Sequence, residues 1–302
     1  MSKRSSLGTS SAHGVGLGRH LLGLLLVTHP LPSVMYVVVT ALLSFVAAAA
    51  AQRSVNLLVL AQVLVCVACA QIAIGSLNDY CDRALDAAGD RDKPIVRGLI
   101  APWEAVALAM VASVVVLLTS VPLGPVVFVL ALLIEGLGLA YDFRFKGTPI
   151  SALLFAVYFP LFPLLAWVVF GRWQPFLLWL LPLGAALGVA MNVANTLPDL
   201  EADRAAGMRG LPHLLGYRRG LVVAWVTPLL VVAAMWVLHL TGLVPARLPL
   251  LALASVGGLL SALVPVILYR RYSLPATLRR TFLIQGLGVI VLAGGWIAAV
   301  AF

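Results

Sequence analysis

Two short acidic stretches hold most of the residues that could do chemistry. The first reads Asn78-Asp79-Tyr80-Cys81-Asp82-Arg83-Ala84-Leu85-Asp86 and the second Asn195-Thr196-Leu197-Pro198-Asp199-Leu200-Glu201-Ala202-Asp203. Setting Asn78 on Asn195 puts Asp82 on Asp199 and Asp86 on Asp203, a repeat offset by 117 residues. Of the 11 acidic residues in the chain, 8 fall within 79–92 and 199–203. Aspartates four apart share one face of a helix, about one turn from each other. If the helices that precede the motifs run on, each presents a ladder of carboxylates. Asn78 and Asn195 lengthen the ladders by a turn, and Gln71 continues the first one inward. Two such ladders facing each other repel unless a cation lies between them. An oxygen-rich site with several carboxylates suits Mg²⁺, which keeps some of its waters and commonly shares its shell with phosphate oxygens.

Basic residues follow the acidic ones. Arg91, Lys93 and Arg97 come after the first stretch, and Arg204 and Arg209 after the second. Arg144 and Lys146 sit between them, in Tyr141-Asp142-Phe143-Arg144-Phe145-Lys146-Gly147. Cations beside metal-binding carboxylates suit a diphosphate, whose charge is spread over several oxygens. Arg97, Lys146 and Arg209 are the candidate ligand contacts.

The elements that must position these groups are membrane helices. The chain is 62% hydrophobic and only 10% charged, against about 25% charged in an ordinary soluble domain. Apolar runs of about 20 residues recur throughout, the length that crosses a bilayer. The fold class is therefore all-α, a polytopic membrane protein. Nine spans are expected, at Ser33–Ala51, Val55–Leu77, Trp103–Val121, Pro125–Ala140, Ile150–Phe170, Pro175–Ala194, Leu221–Leu240, Pro249–Tyr269 and Thr281–Ala301. Residues 1–20 read as a flexible tail and 21–302 as one transmembrane domain. Leu21–Val27 is expected to lie along the membrane surface.

The net charge of +9 does not point to nucleic acid, because the basic residues sit in short loops between spans. The N-terminal tail and the loops at 78–102, 141–149, 195–220 and 270–280 hold 17 of the 20 Lys and Arg residues. The positive side is cytoplasmic, so the N-terminus is expected inside and the C-terminus outside, with both motifs at the cytoplasmic face. Spans one to four and five to eight then form two parallel four-helix repeats, each with its motif after its second helix. Cys66 and Cys69 lie inside an apolar run, and packing explains them better than redox or metal chemistry.

At these residues the sequence resembles the UbiA-type intramembrane prenyltransferase family. The first stretch matches that family's Asn-Asp-x-x-Asp-x-x-x-Asp pattern and the second its Asp-x-x-x-Asp form. The continuation Asp203 through Pro212 and the loop from Tyr141 to Lys146 are also similar, as are the nine spans and the repeat. The resemblance implies transfer of a prenyl group from an isoprenoid diphosphate to a lipophilic or aromatic acceptor. Asp79, Asp82, Asp86, Asp199 and Asp203 would hold Mg²⁺ on the diphosphate. Lys146, Arg144, Arg97 and Arg209 would bind phosphate oxygens, and Tyr141 would either hydrogen-bond the diphosphate or face the allylic carbon. The tail of the donor would lie along apolar walls open to membrane lipid.

Two departures stand out. Thr196 replaces an aspartate found in many second motifs, so the first stretch is expected to supply more metal ligands. Thr28-His29-Pro30 stands where many members acting on aromatic acids carry Arg-Pro, which weighs against 4-hydroxybenzoate as acceptor. Glu135, an ionisable group inside a span, is a candidate acceptor-side residue. A terpene cyclase of the same family would ionise its substrate identically, and sequence alone does not separate the two. A transporter is disfavoured, because its site would lie near the midplane and often between inverted repeats.

Overall fold

The computed structural model describes residues 16–89, 91–272 and 274–302, with the backbone alone for 274–277 and 279–281. Most of the expected tail lies outside the described residues. Its last part is already helical, because α1 spans Leu17–Leu26. This short helix keeps Leu17, Leu21, Leu22 and Leu25 exposed. Gly23, by contrast, is seated so closely on Leu99 and Ile100 that a Cβ there would meet them at 2.8 and 2.9 Å.

Nine helices among the described residues are long and apolar enough to cross a membrane. They are α2 (Pro30–Ala50), α3 (Leu57–Ala88), α4 (Pro102–Ser120), α5 (Pro125–Ala140), α6 (Ile150–Phe170), α7 (Leu177–Thr196), α9 (Leu211–Leu240), α10 (Leu248–Arg271) and α11 (Leu274–Ala301); α8 (Leu200–Ala205) is a short extra helix. Their outer faces are leucine and valine side chains left exposed along the bundle, as lipid contact requires. This is an integral membrane protein.

The first four spans, α2 to α5, and the next four, α6, α7, α9 and α10, form the two repeats. The leading helices α2 and α6 pack on each other, and α11 packs against α10, α7 and α2. Prolines 160, 163, 182, 228 and 265 all sit inside helices. The three cysteines are free.

The two motif-bearing helices differ in a way the motifs themselves do not announce. α3 is unbroken over 32 residues. At 1.5 Å per residue it is about 48 Å long, well beyond the roughly 30 Å hydrocarbon core. Its last turns therefore carry Asp82 and Asp86 clear of the lipid interior. α7 stops at Thr196 and gives way to a 3₁₀ turn at Leu197–Asp199 before α8. Pro198 is the cause, since it has no N–H for the helical ladder and crowds the preceding turn. The second ladder is therefore jointed, whereas the first is continuous. α9 also begins earlier than the apolar run suggests, at Leu211. Gly216, at φ 69°, turns the chain between a short leading segment and the long helix.

Close helix packing rests on small residues. A Cβ at Gly188 of α7 would lie 2.3 Å from the Phe155 carbonyl oxygen of α6, and backbone cannot retreat there. Gly136 of α5 has nothing within 4 Å of the same position. Gly188→Ala is expected to cost about 1–3 kcal/mol through overpacking, whereas Gly136→Ala is expected to be neutral or to stabilise by up to about 1 kcal/mol. Thermal unfolding of the two variants in detergent, read against wild type, checks both signs.

Candidate active site

Both acidic stretches line one cavity of about 850 Å³ at one end of the bundle. Asn78, Asp82 and Asp86 reach it from one face of α3, with Gln71 and Gly75 continuing that face inward. Asn195, Thr196, Asp199 and Asp203 reach it from the end of α7 and from α8. Tyr141, Asp142 and Lys146 come from the loop after α5, which is wound as a π turn over Tyr141–Phe145. The wider turn is closed by the Lys146 N–H donating to the Tyr141 carbonyl at 2.8 Å. Such local bulges in helices are frequent at functional sites, because they re-aim side chains. Here Asp142 is buried while Phe143 and Arg144 face outward.

Cations stand among the carboxylates. Arg91 bridges the two motifs: its Nη1 donates to Asp86 at 3.1 Å, and its Nη2 lies 3.5 Å from Asp199 and 3.7 Å from Asp203. Lys146 Nζ donates to Asp82. Lys93 Nζ donates to Asp79 at 2.6 Å, and His29 Nε2 is 2.8 Å from the same oxygen. Asn78 donates to Asp142 at 2.7 Å. Burial alone disfavours the charge on Arg91, yet Asp199, Asp86 and Asp203 hold its pKa above the ordinary arginine value. Lys146 is likewise raised, because Asp82 and Tyr141 outweigh the cost of its burial.

The sequence-derived candidates divide cleanly. Asn78, Asp82, Asp86, Tyr141, Lys146, Asn195, Asp199 and Asp203 meet at the cavity. Asp79 is 1% exposed and does not line it. Arg97 pairs with exposed Asp92 at 3.1 Å, and Arg144 and Arg209 are exposed outside the cavity. The Arg209 backbone is engaged instead, donating to the Gly147 carbonyl at 2.8 Å. Glu135 is buried between α4 and α5, where the Ser113 hydroxyl donates to it, and it is not in the cavity wall. The cations at the cavity are Arg91, Lys93 and Lys146. Proximity to the first motif flagged the first two, but choosing among Arg91, Lys93 and Arg97 required the path of the loop. His213 went unflagged; it is buried behind the second motif, 3.7 Å from Asp203.

Aromatic rings make the deeper wall. Tyr141 meets Phe155 edge to face, and Tyr158 meets Tyr36 and Phe162 in the same manner. Tyr158 accepts a hydrogen bond from Gln71 at 2.8 Å. Beyond Tyr36 lies a second, largely apolar cavity of about 590 Å³, lined by side chains such as Val39, Phe162 and Met191. The two cavities share Pro32, Tyr36, Phe282 and Leu283 as common wall.

The donor set fits a hard divalent cation in kind, because Asp86 Oδ2 is buried without a hydrogen-bond partner and five more carboxylates, Asp82, Asp92, Asp142, Asp199 and Asp203, line the same cavity. Among the described residues, no three His, Cys, Asp or Glu side chains converge closely enough to hold a metal. Arg91 stands between the two carboxylate groups.

A nine-span bundle with duplicated aspartate motifs over one cavity defines an intramembrane enzyme-like architecture, and residues 37–287 match the UbiA prenyltransferase family. The chain belongs to that family. It is 33% identical over 156 residues to a digeranylgeranylglyceryl phosphate synthase of Natronomonas pharaonis, covering 49% of this chain and 54% of that protein. It is 32% identical over 139 residues to a 4-hydroxybenzoate octaprenyltransferase of Cupriavidus metallidurans, covering 44% and 47%. The chain thus spans about half the length of these relatives. In fold it is similar to a digeranylgeranylglyceryl phosphate synthase structure (TM-score 0.67, 15% identity, 94% of this chain and 99% of that one). It is also similar to a UbiA homolog from Archaeoglobus fulgidus bound to GPP and Mg²⁺ (TM-score 0.63, 18% identity, 93% and 99%).

Arg91→Gln removes the charge that bridges Asp86, Asp199 and Asp203. In chelator the variant is expected to lose about 1–3 kcal/mol of stability, since buried carboxylate oxygens are left unpaired. Added Mg²⁺ is expected to raise the unfolding midpoint of the variant by more than that of wild type, which thermal unfolding with and without Mg²⁺ measures.

Proposed function

We propose that the chain is a Mg²⁺-dependent prenyltransferase, moving a prenyl group from an isoprenoid diphosphate to a lipophilic or aromatic acceptor. One observation carries this reading: two carboxylates from each motif and three cations share a cavity that adjoins an aromatic and apolar compartment. That pairing matches a molecule with a highly charged head and a hydrocarbon tail. Asp82 and Asp86 from one repeat, with Asp199 and Asp203 from the other, would hold the metal. When bound, it would stabilise the charge that develops on the leaving diphosphate.

Lys146, Arg91 and Lys93 supply fixed positive charge for phosphate oxygens in a cavity partly shielded from water, where such charge acts strongly. Tyr141 stands beside Lys146 on the π turn, at the edge of the aromatic wall. As the C–O bond breaks, positive charge builds on the allylic carbon. The faces of Tyr141, Phe155, Tyr158 and Tyr36 favour that charge. The apolar compartment takes the tail and keeps water from the cation. Capture by the nucleophilic atom of the acceptor forms the new bond, and the acceptor then loses a proton.

The two relatives named above differ in acceptor, so the acceptor class stays at lipophilic or aromatic. His29, where an arginine would serve an aromatic carboxylate, favours the lipophilic side. The charge of the basic loops supports a cytoplasmic cavity, with the N-terminus inside and the C-terminus outside.

Purified protein in nanodiscs, given Mg²⁺, a panel of prenyl diphosphates and a membrane lipid extract, is expected to release diphosphate and prenylate an extractable acceptor. The Asp82→Ala, Asp199→Ala double variant is expected to be slower by at least about 10³-fold. Undiminished turnover by that variant would exclude this mechanism. A cyclic hydrocarbon or alcohol formed without acceptor would make the enzyme a cyclase.

A further inference from the structure

Asp79 does not behave like the other aspartates of its motif. Asn78, Asp82 and Asp86 line the cavity from α3, whereas Asp79, about 100° round the helix from Asn78 and at the edge of the face next to Asp86, does not line it. Like Asp86 it is 1% exposed, but its Oδ1 is contacted from the turn between α1 and α2 and from the loop after α3. From those two segments His29 and Lys93 come to it, and both of them line the cavity.

The approach is built into the backbone. Gly75 is one turn before Asp79 on the same face of α3. A Cβ at Gly75 would lie 2.9 Å from the Thr28 carbonyl oxygen, so glycine lets the α1–α2 turn press onto α3. His29 then takes a left-handed backbone conformation, φ 49°, just before Pro30 starts α2. Its Nε2 lies 2.8 Å from Asp79 Oδ1 and 3.1 Å from Lys93 Nζ. One ring nitrogen cannot both donate to the carboxylate and accept from the ammonium. The short contact with a carboxylate selects the tautomer with a proton on Nε2. Lys93 therefore spends one N–H on Asp79 and keeps the other two for the cavity.

We infer that Asp79 is a positioning residue that fixes Lys93 and His29 in the cavity wall as an anion-binding pair, and is not a ligand of the divalent metal. The inference rests on the reading of the cavity as a diphosphate site. Lys93, held by a buried carboxylate, contacts phosphate oxygens on the α2 side, opposite the second motif. Asp82, Asp86, Asp199 and Asp203 are left as the metal-binding carboxylates, two from each repeat. The absence of a carboxylate at Thr196 then removes no metal ligand, because its counterpart Asp79 is not one either.

The test uses the full chain in nanodiscs, with Mn²⁺ and inorganic pyrophosphate as probes. Mn²⁺ binding is read by the spin-resonance signal of the free ion, and pyrophosphate binding at saturating Mn²⁺ by calorimetry. Asp79→Asn is expected to leave Mn²⁺ affinity within about twofold of wild type and to weaken pyrophosphate about tenfold. Asp82→Asn is expected to weaken Mn²⁺ itself by at least about tenfold. Lys93→Gln should match Asp79→Asn on both readouts, Lys93→Arg should restore pyrophosphate binding, and the Asp79→Asn, Lys93→Gln double variant should be no weaker than Lys93→Gln alone. Where Asp79→Asn does not fold, Lys93→Gln still decides: it frees the Asp79 carboxylate, so tighter Mn²⁺ binding than wild type overturns the inference and unchanged binding supports it. Loss of Mn²⁺ affinity in Asp79→Asn equal to that in Asp82→Asn, or multiplicative losses in the double variant, also overturns it. Wild-type protein that binds Mn²⁺ but not pyrophosphate overturns the diphosphate-site reading itself, and this inference with it.

Discussion

Carboxylates from two distant parts of the chain are pressed into one cavity of an otherwise apolar molecule, and their repulsion has to be balanced there. Water cannot do this cheaply at buried positions such as Asp86, and an unpaired buried charge is costly. The structure answers with three cations drawn from two segments, the loop after α3 and the turn after α5. Arg91 ties Asp86 to Asp199 and Asp203. Lys146 covers Asp82 from the π turn, and Lys93 covers Asp79 from the loop after α3. Each connection joins elements that the helix packing alone would leave free to drift. The polar end of the bundle is thus held by charge where the rest is held by shape.

That balance explains why loops matter so much here. The helices are rigid rails, but the groups that neutralise the carboxylates sit in the 91–97 loop and the 141–146 turn. The π turn has a specific role. A regular helix over Tyr141–Phe145 would rotate Lys146 away from Tyr141, whereas the wider winding brings Tyr141, Asp142 and Lys146 to one side. Arg144, two residues before Lys146, is turned outward by the same winding.

The spans, their order and their pairing into repeats are readable from apolar run length and loop charge, because lipid imposes a strict length on every helix. The motif face is readable from a spacing of four. What escapes is anything decided by a turn. Arg97 and Arg209 have the chemistry of ligands and the wrong direction, set by where the chain doubles back. His29 precedes Asp79 by fifty residues and reaches it only because Gly75 admits the Thr28 backbone. Pro198 could be seen in the sequence, but its result, a joint between α7 and α8, depends on how the chain resumes at Leu200. The same limit applies to Glu135, whose partner Ser113 belongs to the preceding helix.

The four residues shared by the two cavities divide the protein into compartments governed by different physics. On one side, changing a side chain alters a sum of charges that has to come out near balance. On the other, it alters only volume and contour, and the aspartates never register the difference. Substitutions at positions such as Val39 or Met191 can therefore reshape the apolar room while the ionic machinery stays in register. A lineage can retune the oily half of its ligand one methylene at a time without reopening the problem of how to keep like charges together.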